Sequence, residues 1–110
     1  MHIAVRHAAR LSATAVLALA SSVQAQTPAT NPHLARNLAA TCANCHGTHG
    51  NARGDMKQLA GVSADKIVAM MADYKSGNQP ATIMHQIAKG YTDDQIRLIA
   101  GYFAAQQPKK

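Results

Sequence analysis

TCANCHG, residues 41–47, contains both cysteines of the 110-residue sequence, and a histidine directly follows the second one. The two cysteines are three positions apart, so on a helix they lie on the same side, about one turn from each other. Cys-x-x-Cys pairs occur in structural disulfides, in redox-active disulfides and in metal or cofactor sites. The compartment, the fold class and the other candidate ligands must decide among these uses.

The first 25 residues predict a secretory signal peptide. Arg6 and Arg10 precede an apolar run from Leu11 to Ala20, and Val23 and Ala25 favour cleavage after Ala25. This run is shorter than the roughly 20 apolar residues that a membrane span requires. We therefore expect a signal peptide over residues 1–25, a single domain over residues 26–110 without a membrane span, and a periplasmic location; the alternative is a signal that stays uncleaved as a membrane anchor.

The predicted mature domain has little bulk for a hydrophobic core. The whole sequence contains no Trp, one Phe and three Tyr. Domains of this size commonly add a disulfide, a metal or a cofactor to a core that their own side chains cannot complete. We therefore expect a bound group to fill the centre of the domain.

Charge favours a protein partner over nucleic acid. Residues 26–110 carry nine Lys and Arg against five Asp, a net charge of +4 with His neutral. The cations are dispersed and lack the interleaved aromatic residues of single-strand binders, so we expect no nucleic-acid partner. A mildly basic surface suits an acidic protein, although it also suits a face that only keeps the domain in solution. Lys57, Lys75 and Lys89 adjoin loops and are the candidates for steering such a partner.

Apolar periodicity predicts an all-α domain with four helices. Asn31 and Pro32 predict the start of the first helix, which leads into the cysteines, and Ser63 predicts the start of the second. A short helix follows from about residue 83 to 89, and Thr92 with Gln95 forms a capping box for the last one. The glycine-rich residues 47–61 predict a loop. The expected buried positions of the second and last helices are Ile67, Met70 or Met71, Tyr74, Ile96, Ile99, Ala100 and Phe103.

Three interpretations of the cysteine pair agree poorly with the rest of the sequence. A zinc site needs about two further Cys or His ligands, and His33, His49 and His85 are scattered singly. A thioredoxin-like pair requires a preceding strand and a sheet, which the periodicity does not predict. A lone disulfide leaves both the adjacent His46 and the weak core unexplained.

Covalently bound haem explains the cysteine pair, the adjacent His46 and the weak core together. The thiols of Cys42 and Cys45 add to the two vinyl groups of the porphyrin, and His46 binds the iron from one face. The haem itself then supplies the missing apolar bulk. We expect one haem c, because the sequence holds one such motif.

A methionine is the expected ligand on the opposite face of the iron. Met84 follows a proline-containing loop, 38 residues after His46, which is enough chain to pass around the haem. A thioether raises the reduction potential and suits electron transfer. Met70, Met71 and His85 remain alternatives, although methionines at helical spacing more often fill a core.

The sequence resembles class I cytochromes c through TCANCHG and through residues 74–106. The second stretch is similar to the cytochrome subunits of flavocytochrome c sulfide dehydrogenases, which share the ATIM and IAKGY sequences found here around Met84. The resemblance implies helices and loops wrapped around one covalent haem, with Cys42 and Cys45 as thioether anchors and His46 and Met84 as axial ligands. It also implies a sulfide-oxidising flavoprotein as the redox partner.

Two features depart from this family pattern. Dihaem members have two such domains, whereas this sequence contains one haem motif. Class I cytochromes c usually have a proline whose carbonyl accepts the axial histidine N–H, and Lys57 occupies the expected region here. A backbone carbonyl should still orient His46.

We therefore expect periplasmic one-electron transfer. The sequence contains no acid–base pair or nucleotide-binding loop, so we do not expect an enzyme with its own catalytic centre. An alternative is a freely diffusing carrier that serves other redox enzymes or a terminal oxidase. A further alternative is a ligand-binding or sensor haem, which requires a labile sixth ligand.

Overall fold

The computed structural model describes residues 31–110, and the predicted signal peptide lies outside the described residues. Its helices are Leu34–Ala39 (α1), Ala43–His46 (α2), Ala64–Ser76 (α3), Met84–Lys89 (α4) and Asp93–Ala104 (α5). Two 3₁₀ turns, Ala40–Cys42 and Thr48–Gly50, adjoin α2. No strand occurs between residues 31 and 110, and the predicted all-α class is confirmed.

The first helical segment differs from the single helix that the sequence predicts. The Asn31 side chain accepts a hydrogen bond from the His33 amide at 2.9 Å, and the Asn31 carbonyl accepts one from the Leu34 amide at 2.9 Å. Asn31 therefore caps a tight turn, and α1 begins only at Leu34. The segment then passes through a 3₁₀ turn into α2, so it delivers both cysteines and His46, as expected.

The core is assembled from α1, α3, α4 and α5. Helix α5 packs against α1 and α3, and α3 also packs against α4. Phe103 is the one large side chain that is completely buried among the described residues, which agrees with the expected shortage of core bulk. Met71 rather than Met70 is the buried methionine of α3. The full buried cluster is Ala39, Ile67, Met71, Ala88, Ile96, Ile99, Ala100 and Phe103.

Two predicted helix caps have different outcomes. At α5, the Gln95 amide donates to Thr92 Oγ1 at 3.2 Å, and the Thr92 amide donates to Gln95 Oε1 at 2.9 Å, so the predicted capping box is confirmed. Ser63 occupies the N-cap position of α3, but its side chain makes no capping hydrogen bond. The sequence therefore predicts the start of both helices correctly, but Ser63 does not cap α3 with its side chain.

This contrast predicts unequal effects of two similar substitutions. Thr92→Ala should lower the free energy of unfolding by about 1 kcal/mol, because an orphan amide of α5 loses its side-chain acceptor. Ser63→Ala should change it by a few tenths of a kcal/mol, on the order of other exposed substitutions that break no such bond. Denaturant unfolding of the two variants provides the measurement, and equal losses would contradict the assignment.

The loop of residues 47–61 packs against Phe103, near the C-terminal end of α5. The Gly50 carbonyl accepts hydrogen bonds from the Leu59 and Ala60 amides at 2.9 and 3.0 Å. Gly50 has a φ of 77°, and a Cβ there would lie 2.7 Å from the Phe103 ring. Only glycine therefore allows this close approach of the loop to the core.

Candidate functional site

The two cysteines lie on one short helical segment but in different surroundings. Cys42 ends the 3₁₀ turn, is partly buried and packs against the core cluster, whereas Cys45 in α2 is exposed. Burial raises the pKa of the Cys42 thiol. The two sulfurs are not joined in a disulfide. Both thiols are therefore available for attachment to another group.

His46 is held in one orientation and one tautomer. Its side chain is 8% exposed, and Nδ1 lies 2.7 Å from the backbone carbonyl oxygen of Lys57. A carbonyl can only accept, so Nδ1 carries the proton and donates it. In the neutral ring the other nitrogen, Nε2, then keeps its lone pair, which is the form that binds a metal ion.

The hydrogen-bond acceptor for His46 is the backbone carbonyl of Lys57, which lies where class I cytochromes c usually have a proline. Lys57 lies in the 47–61 loop, with its residue exposed to solvent and its carbonyl directed at the imidazole. Every residue has a backbone carbonyl whatever its side chain, so lysine can supply the hydrogen-bond acceptor where proline is usual. The sequence could not identify this acceptor, because every residue of the loop offers a carbonyl.

Met84 is the first residue of α4 and is partly buried. It packs against the same buried cluster as Cys42, so the chain brings the methionine and the cysteine segment to one core. Two other methionines are placed differently. Met71 is a core residue at 8% exposure, and Met56 is 45% exposed in the 47–61 loop.

His85 has an unusual environment. The residue is partly buried, and its Nδ1 atom is buried without a hydrogen-bond partner. It lines a shallow recess with Tyr74, Lys75 and Lys89, among other residues. His85 thus faces a recess at the end of α3, while Met84 packs against the core cluster.

Two long-range hydrogen bonds were not expected from the sequence. Thr41 Oγ1 and the Tyr91 hydroxyl share a bond of 2.7 Å, and His49 Nδ1 and the Tyr102 hydroxyl share another of 2.7 Å. His49 is exposed, as expected of a loop residue, but it has a left-handed backbone conformation with a φ of 56°. Both bonds connect the cysteine segment and its following turn to the C-terminal part of the chain.

The predicted docking lysines are not equivalent. Lys57 and Lys89 are exposed. Lys75 is instead paired with Asp93, with Nζ 2.9 Å from Oδ1, and this hydrogen bond lowers the pKa of Asp93. The charge of Lys75 is therefore partly compensated within the chain.

The donor set fits a c-type haem. Two free thiols are three residues apart, an imidazole presents Nε2, and a thioether lies on a second helix against the same core. These are the groups by which cytochromes c attach and ligate haem. Among residues 31–110, no helix is long and apolar enough to cross a membrane.

Several relatives of known identity are cytochromes, although no family model matches the sequence. The chain is 42% identical over 66 residues to the cytochrome subunit of sulfide dehydrogenase from Chlorobaculum tepidum, and the match covers 60% of each chain. It is 32% identical over 71 residues to cytochrome c-554(548) from Halomonas halodenitrificans, covering 61% of this chain and 86% of the relative. A third relative, the thiosulfate dehydrogenase electron acceptor of Stutzerimonas stutzeri, is 36% identical over 67 residues, covering 57% of this chain and 31% of the relative.

The fold, the site and these relatives place the chain in one class. It belongs to the class I cytochromes c, proteins that carry covalently bound haem c and transfer electrons. The predicted family and fold class are thereby confirmed. The matched region spans about 60% of the sulfide dehydrogenase subunit and about a third of the thiosulfate dehydrogenase acceptor.

Proposed function

We propose that this cytochrome carries single electrons in the periplasm on one haem c. Cys42 and Cys45 form the two thioether bonds, and His46 and Met84 are the axial ligands of the iron. The haem supplies one-electron chemistry, since its iron alternates between the ferrous and ferric states without any bond being made or broken. A signal peptide over residues 1–25 exports the chain.

The hydrogen bond from His46 to the Lys57 carbonyl carries this proposal. It directs the unprotonated Nε2 away from the loop and makes the imidazole a stronger donor to iron. No such fixed tautomer is needed by a structural disulfide or by a histidine that merely ends a helix. The bond is also short, 2.7 Å, which holds the ring in place before any ligand binds.

The core cluster borders the proposed site on one side. Cys42 and Met84 are both partly buried and both pack against the core cluster. A thioether in such surroundings is a soft, neutral donor that favours the ferrous state and raises the reduction potential. Partial burial of Met84 therefore supports an electron carrier with a closed iron site over a ligand-binding or sensor haem.

The proposed electron donor is a flavoprotein that oxidises sulfide. Support comes from the relative that is the cytochrome subunit of a sulfide dehydrogenase, at 42% identity. A second candidate is a carrier that diffuses freely and serves another dehydrogenase. It is favoured by the relative that is the electron acceptor of thiosulfate dehydrogenase, at 36% identity.

Single-turnover reduction tests these donors. Ferric cytochrome is mixed without oxygen with the flavoprotein of a bacterial sulfide dehydrogenase and sulfide, and haem absorbance is followed. Each sulfide oxidised to zero-valent sulfur releases two electrons, so two cytochrome molecules should become ferrous per sulfide. Sulfide without flavoprotein is the control and should reduce the haem much more slowly.

A parallel reaction uses thiosulfate dehydrogenase and thiosulfate, in which two thiosulfates form tetrathionate and release two electrons. Fast reduction only in that reaction would replace the sulfide donor by the second candidate. Slow reduction in both would refute both donors. The haem assignment is judged separately, by the spectrum of the purified protein.

A further inference from the structure

The carbonyl that orients His46 belongs to a loop residue without regular secondary structure. Lys57 lies in the 47–61 loop, and its backbone oxygen is 2.7 Å from His46 Nδ1. A proline at this position would restrict its own φ and stiffen the backbone there, whereas lysine leaves that angle free. The Lys57 carbonyl therefore needs other contacts to keep it directed at the imidazole.

Gln58 holds the peptide group that contains this carbonyl. The peptide group joining Lys57 to Gln58 is planar, so fixing Gln58 restricts the Lys57 oxygen. Gln58 Oε1 accepts a hydrogen bond from the Ala52 amide at 2.9 Å, and Gln58 Nε2 donates one to Asn51 Oδ1 at 3.0 Å. Both polar ends of the Gln58 side chain are thus held by an earlier part of the same loop.

Asn51 connects Gln58 to the C-terminal tail. Asn51 Oδ1 also accepts a hydrogen bond from the Lys109 amide at 2.7 Å, and Asn51 Nδ2 donates one to the Gln107 carbonyl at 3.3 Å. The side-chain oxygen of Asn51 therefore uses both of its lone pairs. The side chains of Asn51 and Gln58 are here called the amide clamp.

Backbone hydrogen bonds fix the residues that follow Gln58. The Leu59 and Ala60 amides donate to the Gly50 carbonyl at 2.9 and 3.0 Å. The Gly61 amide donates to the carbonyl of Phe103 in α5 at 3.0 Å. The peptide group with the Lys57 carbonyl therefore adjoins a segment that is already paired with the start of the loop and with α5.

We propose that Asn51 and Gln58 are positioning residues for the axial histidine, and that they hold the Lys57 carbonyl on His46 Nδ1 in place of a proline ring. The bond to this carbonyl makes the imidazole a stronger donor to iron. A stronger donor stabilises ferric iron, so the clamp lowers the reduction potential. The proposal rests on the proposed function, because it requires haem iron at Nε2.

Replacing Gln58 by methionine tests the proposal. Gln58→Met keeps the side-chain length and the net charge but removes both hydrogen bonds of the side chain. The reduction potential of the holoprotein should rise, because a looser carbonyl weakens the Nδ1 bond. Exchange of the Nδ1 proton with solvent, followed by NMR in the ferrous protein, should become about tenfold faster. Asn51→Leu should change both quantities in the same direction.

Gln95→Met is the matched control. Gln95 Oε1 also accepts a backbone amide at 2.9 Å, that of Thr92, but it does so at the start of α5. This variant should lose a hydrogen bond of the same kind and leave the potential and the Nδ1 exchange unchanged. Equal shifts in Gln95→Met and Gln58→Met, or an unchanged potential in Gln58→Met, would overturn the proposal.

A proline at position 57 should compensate for the missing clamp. Within residues 31–110 the Lys57 amide donates no hydrogen bond, so proline there removes none. Lys57→Pro/Gln58→Met should therefore have a lower potential and slower Nδ1 exchange than Lys57→Ala/Gln58→Met. Both double variants remove the same lysine charge, so the comparison isolates the stiffness of the backbone. Equal values in the two would contradict the proposed replacement of proline by the clamp.

A measurement on the unmodified ferrous protein does not depend on the folding of any variant. The side-chain amide groups of Asn51 and Gln58 should be as rigid as helical backbone, with NMR order parameters of about 0.85, whereas flexible groups fall below about 0.6. A flexible Gln58 amide would overturn the clamp while leaving the proposed function intact. A purified protein without covalent haem would refute the proposed function itself.

Discussion

Met84→Ala is expected to abolish the weak near-red absorption band of the ferric protein. That band arises from charge transfer between a methionine sulfur and the iron, so it disappears with the sulfur. Loss of the thioether should also lower the reduction potential. The ferrous variant should bind added carbon monoxide, whereas the unmodified protein should bind it poorly. Visible absorption spectra and a redox titration measure all three effects.

Met71→Ala and Met70→Ala are the matched controls. Met71 is buried at 8% exposure in α3, so its truncation should leave the band in place and cost about 2–5 kcal/mol of unfolding free energy. Met70 is less buried and should cost less. A band that survives Met84→Ala and vanishes in either control would show that the ligand is on α3. A band absent from the unmodified protein would make His85 the leading candidate and weaken the carrier function.

Replacing both cysteines, Cys42→Ala with Cys45→Ala, should release the haem and unfold most of the chain. Covalent haem stays with the polypeptide through acid–acetone extraction, whereas haem in the double variant should enter the organic phase. The folding effect is expected because Phe103 is the one large side chain completely buried among the described residues. A domain this small lacks a sufficient core without the haem.

Asn44→Ala provides the control within the same motif. Asn44 lies between the cysteines and is exposed, so this variant should keep both its haem and its helical circular dichroism. Haem that is extracted from the unmodified protein would contradict the thioether assignment. A well-folded double-cysteine variant without haem would instead show that the protein core suffices by itself.

Local patterns in the sequence were enough to locate α3, α4 and α5, but not the break between α1 and α2. The capping box of Thr92 and Gln95 and the buried stripe that includes Ile96 and Phe103 are both found as predicted. These features depend on residues three or four positions apart, which interact through helix geometry alone. The motif at residues 42–46 likewise places its three side chains on one short segment, so the attachment chemistry could be predicted before the fold was known.

Tertiary structure decided which atoms complete the site and which parts of it reach the surface. The Lys57 carbonyl oriented towards His46 and the Asn51 bonds to the C-terminal tail join residues that local periodicity does not relate. The packing of the helices also decided that Met71 rather than Met70 is buried, and that Cys45 is exposed while Cys42 is not. A backbone carbonyl carries no side-chain signal, and exposure depends on what packs against a residue from elsewhere in the chain, so neither could be read from the local sequence.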